Sequence, residues 1–136
     1  MKKYGYCRIS RKTQNIERQV RNIKTAYPDA IIIKEIYTGR RYQGRKEFEK
    51  LIQHVVSGDV IIFDSVSRMS RNAKEGFEIY QELYQSGVTL VFLKEPHINT
   101  EVYKKAMENS VALTGSNVDY ILEGINRYLL ELSKEQ

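Results

Sequence analysis

The sequence predicts an α/β domain, a doubly wound, mostly parallel sheet flanked by helices. Three observations carry this. Across residues 3–95, runs rich in β-branched and aromatic residues alternate with runs whose apolar positions recur at helical spacing. One run, DVIIFD at 59–64, is apolar without alternation, as in a strand covered on both faces. The length of 136 residues and a 41% hydrophobic content suit one domain with one core and exclude a disordered chain.

KYGYCRI at 3–9 predicts a first strand. Ile16, Val20 and Ile23 give helical spacing over 13–25, and Pro28 bars the helix from continuing. AIIIKEIY at 30–37 predicts a second strand, and TGRRYQGRK after it a charged, glycine-bearing loop. Phe48, Leu51, Ile52 and Val55 predict a second helix, which Gly58 is expected to close. After the 59–64 strand, SVSRMSRN reads as a polar loop. Phe77, Tyr80, Leu83 and Tyr84 mark a third helix ending near Gly87, and VTLVFL a fourth strand. A short helix is expected over 101–109.

From Ser116, a good N-cap with Asp119 three residues on, the pattern changes. Val118, Leu122, Ile125, Leu129 and Leu132 recur at steps of 4, 3, 4 and 3, a heptad seam. Such a seam packs on the domain's own sheet or on another subunit. No proline occurs between there and Gln136, so the chain is expected to be part of a longer protein.

Charge is uneven. Residues 1–50 hold 14 Lys and Arg against 5 Asp and Glu, and residues 51–136 hold 8 against 12. A basic first part suits contact with a polyanion. No apolar run approaches a membrane span, and MKKYGY lacks a signal-peptide core, so a cytoplasmic protein with no membrane partner is expected. A single cysteine, Cys7, excludes an internal disulfide and a cysteine-based zinc site.

In a doubly wound sheet the ligand site lies beyond the carboxyl ends of the strands. Ser10, residues 38–45 and residues 67–71 each come after a strand, so three loops should meet there. They carry Arg8, Arg40, Arg41, Arg45, Arg68 and Arg71. Arginine stays charged and grips phosphate through a planar fork. Arg68 and Arg71, three apart at the start of an expected helix, can face one way. Neither His54 nor His97 is placed by sequence beside Ser10, which argues against a Ser–His–Asp hydrolase. Asp64 stands nearly alone, too few carboxylates for a two-metal nuclease. GxxxxGK[ST] and GxGxxG motifs are absent. No metal and no cofactor are therefore expected. Ser10 reads either as a turn or N-cap residue or as a nucleophile among cations that match phosphoryl-transfer charge. Gln14 and Gln19 are uncharged donors for a substrate oxygen or the serine, or ordinary surface residues.

These blocks together resemble the serine recombinases, the family of resolvases, invertases and large serine integrases. YGYCRIS with Gln14 and Gln19 is similar to its opening motif, TGRRYQGRKEFEKLI to its second block and GDVIIFDSVSRMSRN to its third. The resemblance implies a site-specific DNA recombinase with a resolvase-like fold and a long C-terminal interface helix. It implies that Ser10 attacks a DNA phosphodiester, forming a 5′-phosphoserine and freeing a 3′ hydroxyl, before strand exchange and religation without metal or nucleotide. Arg8, Arg68 and Arg71 would bind the scissile phosphate, Arg45 would assist by charge, and Gln14, Gln19 and Tyr6 would line or brace the site. Arg11, Lys12, Arg40 and Arg41 are expected on the DNA backbone. Thr38 takes the place of a common serine. Ser67 stands where resolvases commonly have aspartate, which points to the larger integrases and transposon recombinases. The family's arginine on the long helix has only Lys134 and Arg127 as candidates.

The implied organisation is a catalytic domain over 1–115 and the start of the oligomerisation helix over 116–136, with the DNA-reading domain absent. The implied partners are DNA and further copies of the chain, as a dimer and as a tetramer in the synaptic complex. The alternative is a non-catalytic dimerising or regulatory relative of the same fold. A phosphoesterase of small substrates has no lid or pocket signal to support it.

Overall fold

The computed structural model describes residues 1–9, 16–36, 45–70 and 73–102. Its strands are β1 (Lys3–Ile9), β2 (Ile31–Ile36), β3 (Val60–Phe63) and β4 (Thr89–Phe92). Its helices are α1 (Glu17–Ala26), α2 (Lys46–His54), α3 (Val66–Met69) and α4 (Ala73–Gln85), with a 3-10 turn at Pro96–Ile98. The four strands form one sheet in the order β2-β1-β3-β4. All pairings are parallel; Tyr4 lies between Ile31 and Ile61, and Ile61 pairs with Leu90.

Alternation along the strands builds two cores. Tyr6, Ile61, Phe63, Leu90 and Phe92 pack with Phe48 and Leu51 of α2 and Tyr80 and Leu83 of α4. Cys7, Ile9, Val60, Ile62 and Val91 pack on the other face with Ile16 and Ile23 around α1. Every residue of β3 is buried, which is why its sequence shows no alternation. Cys7 is one of these core residues, and burial pushes its thiol up to about 12, leaving it protonated. The chain leaves β1 toward β2 over one face and returns toward β3 over the other, so the strand order reverses between β1 and β3. Their carboxyl ends mark the switch point where such sheets take ligands.

Several details differ from expectation or fall partly outside the described residues. The helix expected over 13–25 is seen as α1 from Glu17. α2 ends at His54, where Val55 turns extended, and Gly58, at φ +95°, shapes the next turn instead of closing the helix. SVSRMSRN is not simply a loop, because Val66–Met69 make one helical turn with Val66 and Met69 buried. Ser70 is extended (φ −149°, ψ 152°), so Arg68 sits on α3 and not at the start of α4. Thr100–Val102 have helical backbone, and the rest of the helix expected over 101–109 lies outside the described residues, as does the heptad segment at 116–136.

Candidate active site

β1 runs three residues past the last pairing with β3, Tyr6 opposite Phe63. On that side Arg8 has no strand neighbour, and a side chain replaces one. The Arg8 N–H donates to Gln19 Oε1 (2.9 Å) and Gln19 Nε2 donates to the Arg8 carbonyl (2.8 Å). A carboxamide carries the same donor and acceptor as a peptide, so Gln19 extends the sheet by one partner and fixes Arg8 at the carboxyl end of β1. Gln19 is itself buried.

Arg45 comes from the N-cap position of α2 and is 3% exposed. Its guanidinium stacks over Phe48 (4.2 Å to the centroid) and near Tyr6 (5.2 Å). Its Nε donates to Tyr6 Oη (3.3 Å), Nη2 to the Arg68 carbonyl (2.8 Å) and Nη1 to the Met69 carbonyl and Glu75 (3.2 Å). Tyr6 in turn donates to Glu35 Oε1 (2.5 Å). Burial, helped by that bond and opposed by the Arg45 charge, raises the Tyr6 hydroxyl well above its ordinary value, so it stays a donor. Glu35 also accepts from Glu47 N (2.9 Å) and Phe48 N (3.3 Å), capping the α2 N-terminus that presents Arg45.

The two arginines converge on α3. Arg8 Nη2 donates to the Ser67 carbonyl (2.6 Å), so Ser67, Arg68 and Met69 all place carbonyls under guanidinium groups. Cations suit this negative end of the turn. The Ser67 hydroxyl pairs with that of Ser65 (2.7 Å). Arg68 is different. Its backbone is held, but its Nε is the one buried side-chain nitrogen or oxygen without a hydrogen-bond partner among the described residues. A buried donor of a charged group left unpaired is costly, and an anion would satisfy it.

Three comparisons with known proteins bear on this geometry. Residues 3–116 match the family model described as "Resolvase, N terminal domain". The chain belongs to the resolvase family of serine recombinases. Its relatives include the transposon Tn21 resolvase of Escherichia coli, 34% identical over 93 residues (67% of this chain, 46% of that protein). The transposon Tn501 resolvase of Pseudomonas aeruginosa is 33% identical over 91 residues (67% and 46%). This chain thus spans about half the length of these relatives. A crystal structure of a resolvase family site-specific recombinase from Streptococcus pneumoniae superposes with a TM-score of 0.59 at 21% identity, covering 98% of this chain and 99% of that one; it shows the shared fold.

Within this resolvase domain the structure brings together Tyr6, Arg8, Gln19, Arg45, Ser67 and Arg68. Ser10, Arg11, Lys12, Gln14, Thr38, Arg40, Arg41, Arg71, Arg127 and Lys134 lie outside the described residues. Sequence reading missed three carboxylates, Glu35, Glu75 and Glu95. They come from outside the three loops, one each from β2, α4 and the segment after β4, and contact Tyr6, Arg45 and Val66 respectively. The signal for Glu35 was its place at the end of a strand, just ahead of a charged loop and a helix start. Asp64 accepts from Asn22 (2.9 Å) and pairs with Lys94 (3.2 Å), neither of them a carboxylate. No group of three or more His, Cys, Asp or Glu among the described residues could hold a metal ion, and no helix among them is long and apolar enough to cross a membrane.

Proposed function

We propose that this chain carries the catalytic domain, over 1–115, of a site-specific DNA recombinase that cuts through Ser10. The Ser10 Oγ attacks the scissile phosphorus, the P–O3′ bond breaks, the serine proton leaves and the 3′ oxygen takes one up. The product is a 5′-phosphoserine whose ester keeps the bond energy for religation in reverse. Charge builds on the non-bridging oxygens, and fixed guanidiniums lower that barrier.

The observation that carries this reading is the convergence of Arg8, Arg45 and Arg68 at the carboxyl ends of β1 and β3, with the Arg68 Nε left without a protein partner among the described residues. Arg68 acts as a phosphate ligand together with Arg8 and Arg71. Arg45 acts differently from the direct charge assistance expected of it. Its donors are committed to Tyr6, Glu75 and the α3 carbonyls, so it serves as the brace that aims Arg68. Gln19 and Tyr6 brace Arg8 and Arg45, and Gln14 and Thr38 complete the site. Arg11, Lys12, Arg40 and Arg41 meet the DNA backbone. The 116–136 helix, with Arg127 or Lys134 as its cation, joins copies of the chain into the dimer and the synaptic tetramer. Ser67 supports placement among the larger integrases and transposon recombinases.

The test is a trapped cleavage reaction. The full chain carrying these residues, mixed with supercoiled DNA bearing its sites under conditions that stall resealing, should yield a covalent 5′-phosphoserine adduct that Ser10→Ala abolishes. A wild-type protein that binds a verified site and forms no adduct would be the non-catalytic relative.

A further inference from the structure

α3 is too short to hold itself. It has four residues, and a single turn fixes more backbone freedom than its one or two internal bonds repay. Its N-cap, Ser65, has the extended backbone that suits a cap but makes no side-chain cap bond, because its hydroxyl faces Ser67. The first amide of the turn is taken from elsewhere in the chain. Val66 N–H donates to Glu95 Oε1 (2.8 Å) across 29 residues of sequence.

Glu95 stands on a stiff base. It directly precedes Pro96, which restricts its backbone. Its N–H bonds the Phe92 carbonyl (3.2 Å) at the end of β4, and its carbonyl accepts from Ile98 N (3.1 Å). Ile98 is fully buried, and its carbonyl accepts from Tyr80 Oη (2.7 Å). The charged groups acting on the carboxylate are Lys94, His97 and Asp64.

We propose that Glu95 is a positioning residue for strand cleavage: by capping the positive end of α3 while Arg8 and Arg45 hold its carbonyl end, it sets where Arg68 stands. The turn is thus held at both ends, by a carboxylate acceptor on its first amide and by guanidinium donors on its carbonyls. The clamp also ties the phosphate-binding arginine to the segment after β4, which leads on to the helical backbone at Thr100–Val102. The proposal rests on the recombinase reading for its catalytic consequence, but the clamp itself is measurable without DNA.

Three variants of the full chain test it: Glu95→Ala, Glu95→Gln, which keeps an acceptor for Val66 N–H, and Arg68→Ala as reference. Two readouts need no cleavage, the exchange rate of the Val66 amide and the Arg68 Nε–Hε resonance. Glu95→Ala should expose the Val66 amide and shift or broaden the Arg68 signal, and Glu95→Gln should restore both. In single-turnover adduct formation, counted per folded molecule at saturating DNA, Glu95→Ala should lose about 10- to 100-fold while site affinity stays within about twofold. Glu95→Gln should recover most of that rate. An Ala variant with an unchanged Val66 amide and Arg68 signal overturns the clamp. An Ala variant that shifts both and cleaves at the wild-type rate overturns the positioning role. Absence of adduct in the wild type refutes the recombinase reading, and the two resonances then still decide the clamp.

Discussion

The two ends of the sheet solve the same problem with different groups. At the amino end the chain closes on itself. Gly58 N–H bonds the Gly87 carbonyl (2.9 Å), Thr89 N–H the Asp59 carbonyl (2.9 Å), and the Asp59 carboxylate accepts from Lys2 N (3.0 Å) and Val56 N (3.1 Å). At the carboxyl end, side chains from distant elements do this work. Gln19 stands in for a strand, Glu35 and Glu95 for helix caps, and Arg8 and Arg45 take the carbonyls of α3. The difference teaches where the site can be. At the amino end the Asp59 carboxylate is taken up by backbone amides, whereas closure by arginines concentrates cations at the switch point and leaves one donor, Arg68 Nε, without a partner among the described residues.

The sharpest way to break this comparison is to remove the brace. Arg45→Ala removes the donor that the Arg68 and Met69 carbonyls share, and leaving such buried acceptors unsatisfied costs about 1–3 kcal/mol, with the stacking on Phe48 lost besides. A large fall in denaturation midpoint is expected, and Arg45→Lys should rescue little of it because one ammonium cannot reach the same fork of acceptors. A variant as stable as the wild type would show that the carboxyl end is not held by arginine.

Arg68→Ala is the converse. It should lower adduct formation by at least about 100-fold, the usual result of deleting a donor aimed at developing charge. It should change stability by less than about 1 kcal/mol, since it removes an unmatched donor along with the packing of its stem. Cleavage at the wild-type rate would remove Arg68 from the phosphate site. At the opposite end, Gly87→Ala should destabilise by about 1–2 kcal/mol, because φ is +82° and a Cβ would run into Ser57. Per folded molecule it should leave adduct formation unchanged.

Much of the fold is legible in the sequence because its signals are local. The strands are short β-branched runs, DVIIFD shows burial on both faces, and Gly87 sits at a turn that needs positive φ. The strand-end rule then puts Arg8, Arg45 and Arg68 at one edge. α3 is not legible, since SVSRMS has no helical signature and both ends of its turn are bonded by side chains from distant elements, Glu95, Arg8 and Arg45. Nor can a sequence count donors. It gave Arg45 a direct assisting charge beside the phosphate-binding Arg68, whereas the structure gives Arg45 at least four protein acceptors and leaves the Arg68 Nε without one among the described residues. Carboxylates scattered singly over β2, α4 and the segment after β4 carry no spacing signal at all.

The smallest effect gives the most direct contrast. Asp59 and Glu95 each cap backbone amides, one at each end of the sheet, yet they are displaced in opposite directions. The Lys2 and Val56 amides hold Asp59 below its ordinary 3.8, while burial raises Glu95 above its ordinary 4.5 and outweighs the Val66 bond. Proton linkage sets the signs. With Asp59 the unfolded chain binds more protons between the lowered value and 3.8, so its stability contribution is present above that window and fades as pH falls through it. With Glu95 the native chain binds more protons between 4.5 and the raised value, so its contribution is fullest at acid pH and fades as pH rises. Thermal melts between about pH 3 and 7 separate them. Asp59→Asn should flatten the acid limb, and Glu95→Gln should keep the cap, raise the midpoint at pH 7 and abolish the decline above 4.5. If Glu95→Gln instead lowers the midpoint at pH 7 as much as Glu95→Ala does, the carboxyl end depends on that negative charge and not on the acceptor that caps α3.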